Sequence, residues 1–373
     1  MVLDMNTSVL IIGGGAFGTS TAYHLVNQNY KNVKVLDRFA APSKEAAAND
    51  LNKIIRDDYP DPLYAQLARE AMKFWKAPNT IFTGLFRPTG WICSAHRMAL
   101  GFIDATYQTA QRFNKTEVRY MSISEIKERW PGLTGSFSGW TNLWSPEAGW
   151  VPSGQALLRM ATAAQEMGAT YMIGDRGYVK QLLFDERGKC TGALSADGYV
   201  HSADIVILCT GANTAALIDA KEEIFAESHC IGVVQLTAEE AERYKDLPII
   251  DDFEQVGIDA HVLVCYLDTS HNPVICEMAL LTSRKIRDGD TKDVSFRICP
   301  YPQHSNLYVA TAGSGHGFKF MPIIGKYVVD MIEGRLTEEY SKLWSWKFGR
   351  SPAKKGPKPH PWPARDLGEL DGW

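Results

Sequence analysis

No run of eighteen apolar residues occurs in the 373-residue chain, so no helix of membrane-spanning length is expected. Cysteine is sparse and solitary. Cys93, Cys190, Cys209, Cys230, Cys265, Cys276 and Cys299 form no C-x-x-C pair, which argues against a structural zinc site and for reduced thiols. No excess of basic residues is present: the formal net charge is −4 and the pI about 6.2. Nucleic acid therefore has no electrostatic case as a partner. The opening "MVLDMNTSVLII" lacks a basic region and a cleavage site, and is expected to be a strand, not a signal peptide. No internal repeat is visible, and no metal site is expected.

What is present has ordinary globular composition, 45% hydrophobic and 22% charged, at a length that suits roughly two domains. In "VLIIGGGAFGTSTAYHLVNQNYKNVKVLDR" the pattern predicts a strand over 9–12, a glycine turn, a helix, and a second strand over 33–36. Gly13-x-Gly15-x-x-Gly18 falls between that strand and that helix. The first glycine makes the tight turn, the second lets backbone N–H groups approach a pyrophosphate, and the third lets helix and strand pack closely. The helix N-terminus adds partial positive charge. Asp37 ends the second strand, about 20 residues on, where an acid can accept from ribose hydroxyls.

Asp61-Pro62 predicts a helix start, with Asp as N-cap and Pro in the first turn. Leu63, Leu67, Ala71, Phe74 and Trp75 form its predicted buried face. A helix over 153–167 precedes a β-meander split by "DERGK" and "DG". A buried strand over 205–209 then ends at Gly211. From about 231 to 297 the pattern weakens into short strands and charged loops. A strand over 308–310 leads into "AGSGHGFKFMPIIGK", which crowds Gly313, Gly315, His316, Gly317 and Lys319 into one loop. The helix that follows, from 322, carries the stripe Ile323, Ile324, Tyr327, Val328, Met331 and Ile332 and stops at Gly334. Residues 350–373, rich in proline and lysine, are expected to be a disordered tail. A nicotinamide enzyme would continue with regular βα units. This mixed order, with a late glycine loop, suits a ligand spanning the chain, which means FAD.

The stretches "IIGGGAFGTSTAYHL", "VLDRF", "NDLNKIIR", "AGWVPSGQAL", "VILCTGANT", "QLTAEEAERYKDLP" and "YPQHSNLYVATAGSGHGFKFMPIIGKYV" run from one end of the chain to the other. Together they resemble the FAD-dependent amine oxidases of the monomeric sarcosine oxidase and fructosyl-amino-acid oxidase (amadoriase) family, in its fungal amadoriase and saccharopine-oxidase branch. The resemblance implies an α/β fold of the D-amino-acid-oxidase kind. A Rossmann-like FAD domain would span 1–90, 150–230 and 300–345, and a β-rich substrate domain 91–149 and 231–299. It also implies an enzyme that oxidises the C–N bond of a small secondary amine or amino-acid derivative, with hydride leaving for the flavin and the imine then hydrolysing.

The implied cofactor residues are Gly13, Gly15, Gly18, Asp37, Arg38, Gly211, Gly313, Gly315, Gly317 and Lys319. His316 either bonds the flavin or packs, and Asn49 and Asp50 either bond the cofactor or cap a turn. Lys319 and Arg56 match the family residues that grip a substrate carboxylate, the arginine with a bidentate fork and the lysine with a point charge. Lys53 matches the basic residue over the flavin.

Two positions depart from the family. Ungapped alignment puts Ile286 where the family has the cysteine that bonds FAD, so non-covalent FAD is expected. "NPVICEM" puts Val274 where the oxygen-activating lysine stands, and Lys285 or Lys292 would fit only after a register shift. These departures keep two alternatives open. One is a flavin-dependent tailoring enzyme or dehydrogenase for a non-amine metabolite, the other a flavin-binding protein with little catalysis. The expected partner is a small-molecule substrate, with no membrane and a monomeric chain. The terminal "DGW" is not a peroxisomal tripeptide, so the cytoplasm is the expected location.

Overall fold

The computed structural model describes residues 4–347 apart from 98, 136–137, 221–222, 232, 235, 254–261, 264, 268–272 and 278–283. The predicted 350–373 tail lies outside the described residues. A six-stranded sheet runs in the order Arg297–Pro300, Leu307–Thr311, Ile205–Leu208, Ser8–Ile12, Asn32–Leu36, Thr170–Met172. Its pairs are parallel except for the edge strand Arg297–Pro300.

Side chains alternate across this sheet. Val9 and Ile11 join one core, and Leu10 and Ile12 join the other. Both faces are covered, so the strand is apolar without a break. Helices Ala16–Asn27, Ser153–Glu166 and Met321–Ile332 cover the first face. The antiparallel meander Val179–Phe184, Cys190–Ser195, Val200–Ser202 covers the second. The predicted strands and helices that build this layer appear with ends shifted by one or two residues.

Helix Pro62–Lys76 starts as expected, with the Asp61 carboxylate accepting from the N–H groups of Leu63 (2.8 Å) and Tyr64 (3.2 Å). Its buried face is rotated from the predicted one. Tyr64, Ala65, Leu67, Ala68, Ala71, Met72 and Trp75 are buried, whereas Phe74 is 41% exposed and Leu63 only partly buried. The buried arc takes in the small alanines, because this face meets the turn Phe318–Phe320 at close range: Trp75 Nε1 donates to the Lys319 carbonyl at 2.8 Å.

A five-stranded sheet of different make-up stands apart from the first: Val262–Leu263, Ile249–Asp252, Trp91–Ala95, Thr141–Ser145, Arg119–Met121. Strand Lys53–Ile55 pairs antiparallel with Gly149–Val151. In the weakly patterned region, Phe225–Ile231 pairs with Arg284–Asp290, which sets Ile286 opposite His229. Val274 lies in Pro273–Glu277, opposite Tyr266. Lys292 is exposed in the turn after Asp290. Among the described residues Cys93, Cys190, Cys209 and Cys299 are buried. No metal-holding cluster occurs among them, and no helix is long and apolar enough to cross a membrane.

Candidate active site

The dinucleotide turn is fixed by steric need. Gly13 has φ +103°, and a Cβ on it would lie 2.4 Å from the Cys209 carbonyl oxygen. A Cβ on Gly18 would lie 1.8 Å from the Gly13 carbonyl oxygen. Gly15 differs: among the described residues the nearest atom to its would-be Cβ is that of Ala46 at 3.8 Å, so none of them demands glycine there. No side chain caps helix Ala16–Asn27, and no acid stands in its first turn. Its leading N–H groups therefore suit an anionic pyrophosphate. This cradle fits the nucleotide end of FAD.

Asp37 organises the turn as well as ending its strand. Oδ2 accepts from Gly14 N–H at 2.8 Å, and Oδ1 accepts from Phe39 N–H (2.9 Å) and Ser43 Oγ (2.8 Å). Arg38 sits at the rim, paired with Glu45 at 2.7 Å and stacked over Tyr178 at 5.2 Å. Gly211 opens a 3₁₀ turn with φ +52°, and Gly289 packs so closely on it that a Cβ there would lie 2.7 Å from the Gly211 carbonyl carbon.

The late glycine loop meets this turn directly. Ala312, Ser314 and Gly315 all have positive φ. A Cβ on Gly317 would sit 2.8 Å from Gly313 Cα and 2.9 Å from Phe17 Cε2. Phe17 lies in the first turn of helix Ala16–Asn27, so two segments that the sequence marks separately as candidate cofactor-binding segments are in contact. The helix after the loop starts at Met321, behind a 3₁₀ turn Phe318–Phe320 that carries Lys319 inward.

Lys319 is buried, and its Nζ donates to the His316 carbonyl at 3.0 Å. Burial, with Arg56 and Lys53 adding to it and Asp251 opposing, holds its pKa well below the usual lysine value. His316 Nε2 faces the Val294 carbonyl at 2.9 Å, and Nδ1 faces the Tyr59 hydroxyl at 3.1 Å. A carbonyl only accepts, so Nε2 carries the proton and Nδ1 accepts from Tyr59. The imidazole stacks on Phe296 at 4.9 Å and meets Tyr64 edge-on at 5.1 Å. Burial, helped by Lys319, pushes its pKa down to about 3. Of the two readings of His316, packing is satisfied by these contacts.

Arg56 is buried between two rings, 4.8 Å from Tyr59 and 4.6 Å from Trp91, and donates to the Asp58 carbonyl. The Trp91 indole N–H in turn donates to Asp251 Oδ2 at 3.3 Å. Lys53 is partly exposed and paired with Asp50 at 2.5 Å. The Asp50 backbone is stitched to Ser153 Oγ, which donates to its carbonyl at 2.7 Å, while Asn49 Oδ1 lies against Gly154. Asp57 and Asp58, next to Arg56, both turn to Lys115 Nζ at 2.6 Å. The structure thus brings Arg56, Lys319 and His316 together around Tyr59. Tyr59, Trp91, Asp251 and Lys115 went unmarked in the sequence. A cavity of about 390 Å³ lined by Asp57, Arg69 and Lys115 opens behind this cluster, and neither Arg56 nor Lys319 lines it.

A phosphate turn on a parallel sheet, joined through Phe17 to a glycine loop bearing a buried lysine, defines a dinucleotide-dependent redox fold. The profile of the FAD dependent oxidoreductase family (DAO) matches residues 8–258, and the chain belongs to that family. It is similar to the L-saccharopine oxidase of Schizosaccharomyces pombe, 26% identical over 92% of this chain and 94% of that protein. The monomeric sarcosine oxidase of a Bacillus species is 22% identical, over 92% of this chain and 96% of that protein. Among solved structures, the fructosyl peptide oxidase from E. terrenum superposes with TM-score 0.85 at 25% identity, covering 100% of this chain and 98% of that one. The chain is an FAD-dependent oxidoreductase of amadoriase-like fold.

Proposed function

We propose that the chain oxidises the C–N bond of a small secondary amine or amino-acid derivative that carries a carboxylate. The observation behind this reading is the pair of cations, Arg56 and Lys319, set on aromatic rings beside the loop that touches helix Ala16–Asn27. Neither is in a salt bridge among the described residues. A buried cation without an ionic partner favours an anionic ligand. The activities named for the similar proteins, on saccharopine, sarcosine and fructosyl peptides, support the same chemistry.

In this reading the Arg56 fork and the Lys319 ammonium hold the carboxylate. Tyr59, Phe296 and Phe320 exclude water around them, which strengthens each charge–charge contact. His316 stays neutral and fixes the Tyr59 hydroxyl, while Asp50 holds Lys53. When bound along Gly13 to Gly18 and the 313–317 loop, FAD supplies the hydride acceptor. No general base is assigned, because a neutral amine can lose hydride without one.

FAD is read as non-covalent. Isoleucine at 286 supports this, as does burial that pushes the Cys209 thiol up and the Cys299 thiol to about 12, away from nucleophilic thiolate. The FAD domain is read as 1–90, 150–230 and 300–345; five strands of the six-stranded sheet fall within these bounds, and the edge strand Arg297–Pro300 straddles the last of them. The chain is read as a monomer.

The test is to purify the protein and record its visible spectrum before and after acid precipitation. Flavin bands are expected to move to the supernatant. Anaerobic addition of sarcosine, pipecolate, saccharopine and fructosyl amino acids is then expected to bleach the bound flavin with at least one of them. A holoprotein that none of these amines reduces would favour a non-amine substrate.

A further inference from the structure

We infer that Lys115 is a positioning residue, which captures the carboxylates of Asp57 and Asp58 and so keeps the Arg56 guanidinium available for an anionic substrate group. This rests on the reading of Arg56 as a carboxylate-holding residue.

The sequence "RDD" poses the problem: a buried guanidinium is followed at once by two acids. Arginine and carboxylate pair strongly at low dielectric, often through two parallel hydrogen bonds. Left alone, Asp57 or Asp58 would satisfy Arg56 and close it to any ligand. Instead Asp57 Oδ1 and Asp58 Oδ1 each accept from Lys115 Nζ at 2.6 Å. All three side chains are less than a tenth exposed. Among the described residues Arg56 keeps only the Asp58 carbonyl and the faces of Tyr59 and Trp91.

Lys115 is held from outside the segment it controls. It follows helix Leu100–Arg112 after Asn114, whose φ of +57° reverses the chain, and its own N–H donates to the Ala110 carbonyl at 3.0 Å. The same helix grips the same segment a second time, where Thr109 Oγ1 donates to the Pro60 carbonyl at 3.0 Å. The hold on Asp58 is single-sided. Its Oδ2 is buried with no hydrogen-bond partner, so Lys115 is its only ionic partner among the described residues. Without that ammonium, a fully buried carboxylate two residues from Arg56 has strong reason to turn to it.

The experiment titrates acetate and its uncharged isostere acetamide into the holoenzyme, followed by calorimetry and by flavin absorbance. K115M is expected to weaken acetate about tenfold or more while leaving acetamide unchanged. The triple variant D57N/D58N/K115M, which removes the competing carboxylates, is expected to bind acetate close to the wild-type value. A merely structural Lys115 predicts the reverse, because the triple variant loses every ion pair that the single variant loses. If K115M does not fold, the triple variant decides: folded protein without acetate preference overturns the inference. So does a folded K115M with unchanged acetate affinity. R56M is expected to abolish the preference for acetate over acetamide. If R56M retains it, or if the wild type shows none, the reading of Arg56 itself falls.

Discussion

Lys319 donates a hydrogen bond of 3.0 Å from its Nζ to the carbonyl oxygen of His316, three residues earlier, from a side chain closed off from solvent. The bond folds the site loop back on itself and fixes the lysine beside the Tyr59 ring, 5.5 Å from its centroid. It does not supply the negative charge that a buried ammonium lacks.

Anion binding should therefore take up a proton. Burial and Arg56 hold the Lys319 pKa well below the usual lysine value, and a bound carboxylate raises it again. The complex then carries more protons than its parts, so affinity falls as pH rises from the pKa of the free form to that of the bound form. Acetate titrated by calorimetry in two buffers of different ionisation enthalpy should give different apparent heats. Asp251 is the acid that opposes the shift, so D251N should move the loss of affinity to lower pH. Equal heats in both buffers would show that Lys319 is already charged.

His316 predicts a particular acid limb. Its folded pKa of about 3 lies below the ordinary imidazole value of about 6.5, so the unfolded chain binds the extra proton between the two. Stability is then fully present above about 6.5 and drains away as pH falls toward 3, by up to about 2 kcal/mol at pH 5. H316Q should start less stable near neutrality, having lost the ring stack on Phe296, but show a flatter fall from pH 6.5 to 4. Thermal melts across that range check this, and parallel slopes for the two proteins would refute it.

What the sequence exposed and what it hid differ in the range of the constraint. The phosphate turn was legible because part of its demand is local: Gly13 needs a φ of +103°, and Gly18 meets the Gly13 carbonyl oxygen within the same turn, whereas the close approach of Gly13 to Cys209 could not be read from the motif. Arg56 and Lys319 could be marked by resemblance to a family. Tyr59 was not, because its meaning comes from His316, 257 positions away. Trp91 and Asp251 are 160 positions apart, and each alone passes for an ordinary strand residue. Lys115 passes for a solvated residue at a helix end until Asp57 and Asp58 are seen around it. The 3₁₀ turn Phe318–Phe320 was missed because Pro322 suits a helix start. The buried face of helix Pro62–Lys76 was misjudged because Phe74 is apolar yet 41% exposed, while the small Ala65 and Ala68 are buried.

Two glycines offer a paired test of the steric argument. G18A would place a methyl group 1.8 Å from the Gly13 carbonyl oxygen, opening the turn that faces the pyrophosphate. The purified variant is expected to carry little or no flavin by its ratio of visible to ultraviolet absorbance. Gly101 lies in helix Leu100–Arg112 with nothing within 4 Å of a would-be Cβ. G101A should keep its flavin and gain about 0.5–1 kcal/mol from helix propensity. Full flavin occupancy in G18A would mean that the turn is softer than its contacts indicate.

The contact between helix Ala16–Asn27 and helix Met321–Ile332 gives a final prediction, because two changes at one point should differ sharply. Ser20 Oγ donates to the Met321 carbonyl at 2.6 Å and accepts from the Gly325 N–H at 2.8 Å. Those two backbone groups are four residues apart on the same helix, and can bond to each other if the hydroxyl is removed. S20A should therefore cost only about 1 kcal/mol. Gly325 has no such escape. A Cβ on it would lie 2.1 Å from the Ser20 carbonyl oxygen, against backbone that cannot turn aside, so G325A must push the helices apart. That displacement should cost about 3 kcal/mol or more. It should also loosen FAD, because the two helices carry Phe17 and the loop ending at Lys319. Chemical denaturation of both variants, with flavin release followed in parallel, checks the ranking. A G325A protein as stable as S20A would mean that the helices do not pack at the distance described.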